Sequence, residues 1–507
     1  MKKIIFNISV PLILIGIILN SCNKKLDLEP QQNIDVNKAL VSVQDINNAL
    51  NSTYAALKAS SLYGRDMLVL ADALSDRAFS NGKGARFVTD NQNATNAPFG
   101  FWTAAYSAIN EANLILEVIP TSQGDAATKA RWEGELLFLR ALLHFSLAKT
   151  YAYIPTYVVS AQDKGGIVIK NTGVSTIQQA ADWKPKRASI NETYDFIMAD
   201  LYKSLSFLSN ANRGAYYASK LSSLALGSRV ALYMGNYNRA DSFATAAIAA
   251  GGIGTMTNTT NHVSGWRLAL NPESIFEVRI ATLPEVPSGI ANQLQGALTN
   301  IVAIGNTSSS NGGFGPLVPN MALMTELRMS FSPSPNTSTL SFGTTIPTIT
   351  RREDVRSQLY DIGPNVSGRH IECTKFLGKN GTPGVDNVPV VRWAELYLNR
   401  AEARARMATP NTAGANADLN IIRSNRIMGF TTPADITGPA LMDSISRHRA
   451  IEFAFEGHRW FDMKRWGLPI VKTTPVVSFP NTYFRYLNII PTTEVDGNPN
   501  MVQNFGF

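Results

Sequence analysis

The chain has 507 residues, a formal charge of +8 at pH 7, 17 % charged residues and two cysteines, Cys22 and Cys373. Its Lys and Arg residues are scattered, and no block of five or more like charges occurs, which excludes the clustered basic face that nucleic acid requires. Two distant cysteines make no disulfide scaffold, so a buried core has to hold the fold, and a chain of this length can build one.

At the N-terminus Lys2 and Lys3 precede a run from Ile4 to Leu19 that is mostly Ile, Leu, Val and Phe, with Asn7, Ser9 and Pro11 inside it. This is the charged-then-apolar pattern of an export signal, and the run is shorter than the roughly 20 apolar residues of a membrane span. Leu19-Asn20-Ser21-Cys22 resembles the lipobox of bacterial lipoproteins. The resemblance implies that residues 1–21 are a signal peptide, that the Cys22 thiol receives a diacylglyceryl group, and that residues 22–38 form a lipidated tether. Each buried methylene adds about 0.8 kcal/mol, and stable anchoring takes more than one acyl chain. Cys373 is then a lone thiol.

Helical patterning runs from about Ala39 to Ser60, and a second segment spans Met67 to Ala78. "SNGKGARFVTDNQNATNAP" (Ser80–Pro98) reads as a loop from its turn residues, with Pro98 opening the next helix. That helix places Trp102, Tyr106, Ile109, Asn113 and Leu116 on one stripe, so Trp102 reads as core. In the strongest helix Trp132, Leu136, Leu139, Leu143, Leu147 and Tyr151 recur at three- and four-residue steps until Pro155 ends it. A polar connection with Trp183 and Pro185 leads to a helix over about Ser189–Leu208. "SKLSSLALGSRVALYMGNYNRADSFATAAIAAG" then has the helix–turn–helix pattern of a tetratricopeptide pair, with Tyr237 capping the turn. A second pair starts at Val391. The pairs do not recur at 34 residues, which predicts repeat-like pairs within one domain (39–507) and no free solenoid. From about 251 to 390 Gly, Ser, Thr, Asn and Pro dominate; "ESIFEVRI" (Glu273–Ile280) alternates like a short strand, and the rest reads as ordered surface loops. The expected fold class is mainly α: tetratricopeptide-like helix pairs packed against a loop-rich region with a few short strands.

Motifs of catalysis are missing. His144, His262, His370, His448 and His458 fall at no metal-ligand spacing, and neither G-x-S-x-G nor a Walker glycine loop occurs. The glycines at Gly251 lack the third glycine and the preceding strand of a dinucleotide loop. No enzyme, cofactor or metal site is expected. The densest charged stretch is "ISRHRAIEFAFEGHRWFDMKRWG" (Ile445–Gly467), where Arg449, Glu452, Glu456 and Arg459 stand at helical steps. They read as a structural ladder worth about 0.2–0.5 kcal/mol per pair rather than as acid–base groups.

That stretch closely resembles the C-terminal signature of the SusD/RagB family of surface lipoproteins. So do, in the same order along the chain, "LRALLHFSLAKTYAYIP", "NPESIFEV", "REDVR", "VVRWAELYLNRAEA", "LNIIRSNR" and "IIPTTEVDGNPNMVQN". The resemblance implies an α-helical lipoprotein on the outer face of the outer membrane. Such a protein captures oligosaccharides and caps a SusC-like TonB-dependent barrel transporter, which takes them up. The alternative it leaves open is an oligopeptide-binding lid, and a third reading is a scaffold for envelope components. Trp183 and Trp266 in loop-like sequence, with frequent Asn and Gln in loops, favour a glycan.

Ligand contacts are expected on loops. Asp76, Phe79, Arg86 and Phe87 flank or lie within the glycine-bearing segment, and Trp266 and Phe314 come from the loop-rich region. A ring with charged neighbours suits the mixed apolar and hydroxyl faces of a sugar. The competing expectation for Phe79 and Phe87 is that they pin the loop to the helices.

Overall fold

The protein is described by a computed structural model over residues 39–507. The expected leader, Cys22 and the tether lie outside the described residues. Among the described residues no helix is long and apolar enough to cross a membrane.

Reciprocal side-chain caps start several helices. α1 (Val43–Ala56) opens on Ser42, whose hydroxyl accepts from the Asp45 amide while the Asp45 carboxylate accepts from the Ser42 amide. α2 (Asp66–Leu74) stops before the expected Ala78, which belongs to β1 (Ala78–Ser80). α3 (Trp102–Val118) begins after Phe101, so Pro98 precedes the helix and does not open it. α4 (Ala126–Tyr151) is capped by Asp125 and is buried on every face from Gly134 to Tyr151. Its apolar stripe is therefore only one side of a helix enclosed all round. The polar connection contains α5 (Ile177–Asp182), boxed by Thr176 and Gln179, and α6 (Ile190–Phe207) follows, boxed by Ser189 and Glu192.

α7 (Lys220–Tyr233) and α8 (Tyr237–Ala250) form the expected pair. A side-chain carbon at Gly227 would stand 3.2 Å from the Phe243 ring, so the glycine permits the close approach. The turn is capped differently from expectation. Asn236 accepts the Arg239 amide at 3.2 Å, and Tyr237 is the first helical residue, half-buried against the core. α9 (Trp393–Arg406) and α10 (Thr412–Arg426) make the second pair, followed by α11 (Gly438–Glu452) and α12 (Arg459–Trp466). Successive packing runs α3 on α4, α4 on α6, α6 on α7, α7 on α8, α8 on α9 and α9 on α10. The row of helices thus continues directly across the loop-rich insertion.

Among the described residues ten short strands form five antiparallel two-stranded pairs. β1 pairs with β3 (Leu317–Pro319), and β2 (Ser274–Val278) with β8 (Val388–Arg392). β4 (Ser330–Ser332) pairs with β5 (Thr348–Thr350), β6 (Tyr360–Ile362) with β7 (Ile371–Cys373), and β9 (Ile470–Thr473) with β10 (Val476–Phe479). β2 is buried at every position, not at alternate ones, because it packs on α7 as well as on β8. One apolar core joins the helices to Ile275, Phe276, Leu317, Leu359 and Ile371 of the insertion.

The charged ladder near the C-terminus does not form. α11 ends at Glu452 and the chain turns through Phe455 (φ 63°) before α12, so the four residues share no helix. Arg449 instead reaches Asp462 and Asn399, Glu456 reaches Lys375 and Arg392, and Arg459 reaches Asp76. Glu452 receives Arg356, Arg392 and Arg426 together.

Candidate ligand-binding site

The structure divides the six expected contact residues. Asp76 is half-buried: its carboxylate takes Arg459 at 2.7 and 2.8 Å and Arg77 at 2.9 Å. Burial alone would raise its pKa, but the two guanidinium groups hold it at about 2. Phe79 is 9 % exposed and packs with Val318 and Leu340. Trp266 is 2 % exposed, edge-on to Phe376 with Lys375 and Arg392 over its ring. A buried ring has no face to offer a sugar, so Phe79 and Trp266 are core residues, and Asp76 is spent on its ion pairs. Phe87 is half-buried against the main core, with φ 58°, and pins the loop. Only Arg86 and Phe314 come together at the surface: the guanidinium lies 5.5 Å from the ring centroid and also reaches Asn292 at 3.0 Å. The Gly84 backbone covers the same ring so closely that a side-chain carbon there would stand 3.0 Å away.

A larger concavity lies elsewhere. A pocket of about 450 Å³ opens between α3, the connection through residues 168–185 and residues 493–501. α3 contributes Trp102, Thr103, Tyr106, Ser107 and Asn110, which share a face at helical spacing. Trp102 is 3 % exposed, packed against Tyr106 and Tyr151, and still contributes to the pocket lining. Trp183, at the C-terminal end of α5, is 36 % exposed and forms the open aromatic wall.

Side-chain to main-chain hydrogen bonds hold the walls. Tyr106 donates to the Val168 carbonyl at 2.8 Å, Asn110 makes a reciprocal pair with Val174, and Asn113 donates to the carbonyls of Lys170 and Thr172. Behind them the Lys170 amide donates to His144 Nε2 at 3.2 Å. Nε2 is therefore an acceptor, and Nδ1 carries the proton that the Arg140 carbonyl accepts at 2.9 Å. Burial, with Arg140 nearby, pushes the pKa of His144 down to about 3, so the ring is neutral. Across the pocket Asn498 donates to the Pro185 carbonyl and Lys184 to the Gly497 carbonyl, both at 2.7 Å. A site braced in this way is formed before a ligand arrives.

The Lys170 side chain lies in this pocket with its ammonium 4.0 Å from the Trp183 ring centroid. Burial lowers its pKa from the ordinary lysine value, and Glu117 acts in the opposite direction. Sequence reasoning marked Trp183 as a loop tryptophan but had no signal for the pocket, because residues 102, 170, 183 and 494 meet only through the fold. Among the described residues no group of three or more His, Cys, Asp and Glu is placed to hold a metal ion.

Comparison with known proteins assigns the class. A SusD-like family model described as starch-binding and associating with the outer membrane matches residues 24–232, and the SusD family model matches residues 368–483. SusD-like protein P38 of Formosa agariphila is 24 % identical over 93 % of this chain and 93 % of its own length. The starch-binding protein SusD of Bacteroides thetaiotaomicron is 31 % identical over 133 residues, 24 % of this chain and 22 % of that protein. A SusD superfamily structure from Bacteroides vulgatus superposes with a TM-score of 0.76 at 22 % identity, covering 92 % of this chain and 99 % of that one. A laminarin-binding SusD-like protein gives 0.66 at 18 % identity, with 92 % and 99 % covered. The fold is that of the SusD superfamily. The chain belongs to the SusD/RagB family.

Proposed function

We propose that this protein is a cell-surface lipoprotein, anchored in the outer membrane through Cys22, that binds oligosaccharides and delivers them to a SusC-like TonB-dependent barrel transporter. The observation that carries the binding role is the braced pocket of about 450 Å³, with Trp183 open on one wall and the hydroxyls of Thr103 and Ser107 on another. Apolar ring faces beside hydroxyl and amide groups match the two faces of a pyranose. The family description of starch binding at the outer membrane supports the same reading.

An oligopeptide ligand fits less well. Peptide capture by strand addition needs free main-chain groups. In this pocket the carbonyls of Val168, Lys170, Thr172 and Val174 already accept side-chain hydrogen bonds.

Calorimetric titration with a panel of oligosaccharides tests the reading, with Trp183→Ala and the double variant Arg86→Ala/Phe314→Ala as paired variants. Loss of binding in Trp183→Ala alone supports the pocket. Loss in the double variant alone would move the site to the Arg86–Phe314 face.

A further inference from the structure

We infer that the pocket selects an anionic saccharide, one bearing a carboxylate or a sulfate ester, and that Lys170 is the residue that reads the charge. The inference rests on the pocket being the glycan site proposed above. Lys170 is 5 % exposed, yet among the described residues its ammonium makes no hydrogen bond and has no carboxylate at ion-pairing distance. The Trp183 ring centroid lies 4.0 Å from the ammonium. The stem of Lys170 is buried while the ammonium opens on the pocket, where a cation–π contact is a weak partner for a full charge.

Other buried lysines of this protein are treated differently. Lys375 donates to two carbonyls and to Glu456, Lys379 to the Trp266 carbonyl, Lys464 to the Lys149 carbonyl, and Lys472 to the carbonyls of Ala73 and Asn91. Lys83 and Lys149 make no hydrogen bond either, but Lys83 stands 3.9 Å from Glu372, and Lys149 faces a cavity of only about 20 Å³. Lys170 instead faces space large enough for a sugar ring. Glu117, the acid that acts on it, makes no ion pair with Lys170 and accepts the Gly173 amide at 2.7 Å.

The rest of the lining agrees in sign. Lys184 is a second cation in the same pocket, and its carbonyl partner at Gly497 leaves two of its three protons free. Glu494 is the one acidic lining residue. A ligand carboxylate or sulfate placed at Lys170 would complete the missing ion pair, while the exposed Trp183 face and the hydroxyls of Thr103 and Ser107 take the ring. Charge-assisted hydrogen bonds of this kind are the strong ones.

The test uses the folded protein and its Lys170→Met and Lys184→Met variants. Each is titrated at low and high salt with trigalacturonate, a sulfated carrageenan tetrasaccharide, neutral laminaritetraose and triglutamate. At least one anionic sugar is expected to bind about ten-fold or more tighter than the neutral one, and to weaken with salt. Lys170→Met should remove that preference while its melting temperature stays level, since the ammonium makes no hydrogen bond or ion pair within the described residues. Whichever anionic sugar responds identifies the group as carboxylate or sulfate. Neutral and anionic sugars binding alike, with Lys170→Met weakening neither or both equally, overturns the inference and leaves glycan binding intact. Binding of triglutamate alone, or of none of the four, overturns it together with the reading beneath it.

Discussion

The carboxylate of Glu452 meets the guanidinium of Arg392 at 2.7 Å, with neither side chain more than 3 % exposed. Arg392 simultaneously holds Glu273 at 2.9 Å and Glu456 at 2.8 Å, and Glu452 also takes Arg426 and Arg356. The cluster joins β8, the residues before β2, the end of α10 and the end of α11. It is where the insertion is fastened to the helical row.

Removing one partner of such a cluster leaves uncompensated buried charge. Arg392→Met is therefore expected to lower the unfolding free energy by about 3–5 kcal/mol in urea titration. A surface ladder of the kind the sequence suggested would lose only about 0.2–0.5 kcal/mol per pair. A loss below about 1 kcal/mol would show that the cluster is not a structural fastening.

The two loop tryptophans should separate cleanly. Trp266→Ala opens a cavity beside Phe376 and is expected to destabilise the fold by about 3–5 kcal/mol. Trp183→Ala removes an exposed wall, so melting should hardly change while oligosaccharide affinity falls about five-fold, roughly 1 kcal/mol. Thermal melting and calorimetry on both variants check this, and equal destabilisation by the two would contradict the placement of Trp183.

His144 brings a pH dependence. Its folded-state pKa of about 3 lies below the ordinary 6.5, so across that window the unfolded chain binds a proton that the folded chain does not. Stability from this residue is complete above about pH 6.5 and is lost on acidification. The stability advantage of the wild type over His144→Gln should shrink by about 1.4 kcal/mol per pH unit from about 6.5 down to 4. Urea midpoints measured along that range give the slope, and a constant difference would refute a neutral, buried His144.

Anchoring is tested at Cys22. Metabolic labelling with a palmitate analogue should tag the wild type and leave Cys22→Ala unlabelled. Mild detergent extraction of the labelled protein should bring down a TonB-dependent barrel in near-stoichiometric amount. Equal labelling of both forms removes the anchor from the proposal, and repeated recovery of the protein alone removes the partner.

Local patterns in the sequence were dependable for the helices. The three- and four-residue steps of α4, the small-residue face of α7 and the pair at Val391 all correspond to observed helices, because periodicity and turn chemistry are local. The candidate pocket was not readable in the same way. Phe79 and Trp266 sit in loop-like sequence, yet β3 and Phe376, brought in from more than a hundred positions away, bury them. Arg449, Glu452, Glu456 and Arg459 had helical spacing, but a turn at Phe455 broke the helix and sent each to a distant partner. Lys170 and Trp183 carried no motif, since what distinguishes them is a shared cavity.

Bonds across nearly the whole chain fasten the first loops to the last ones. Arg459 holds Asp76, the Gly457 amide donates to Asp72, and the Lys472 ammonium donates to the carbonyls of Ala73 and Asn91, at sequence separations of 381 to 399 residues. Contacts of such range must close long loops before they contribute any stability. In kinetic terms, β1 and its neighbouring loop are expected to be fixed in their final positions once residues 457–472 have docked. A slow, late-committing folding reaction is expected, in which the apolar surfaces of α2 and β1 are open to wrong partners. Destabilising changes at Asp76 or Arg459 should then reduce the yield of folded protein well before they change what the folded protein binds.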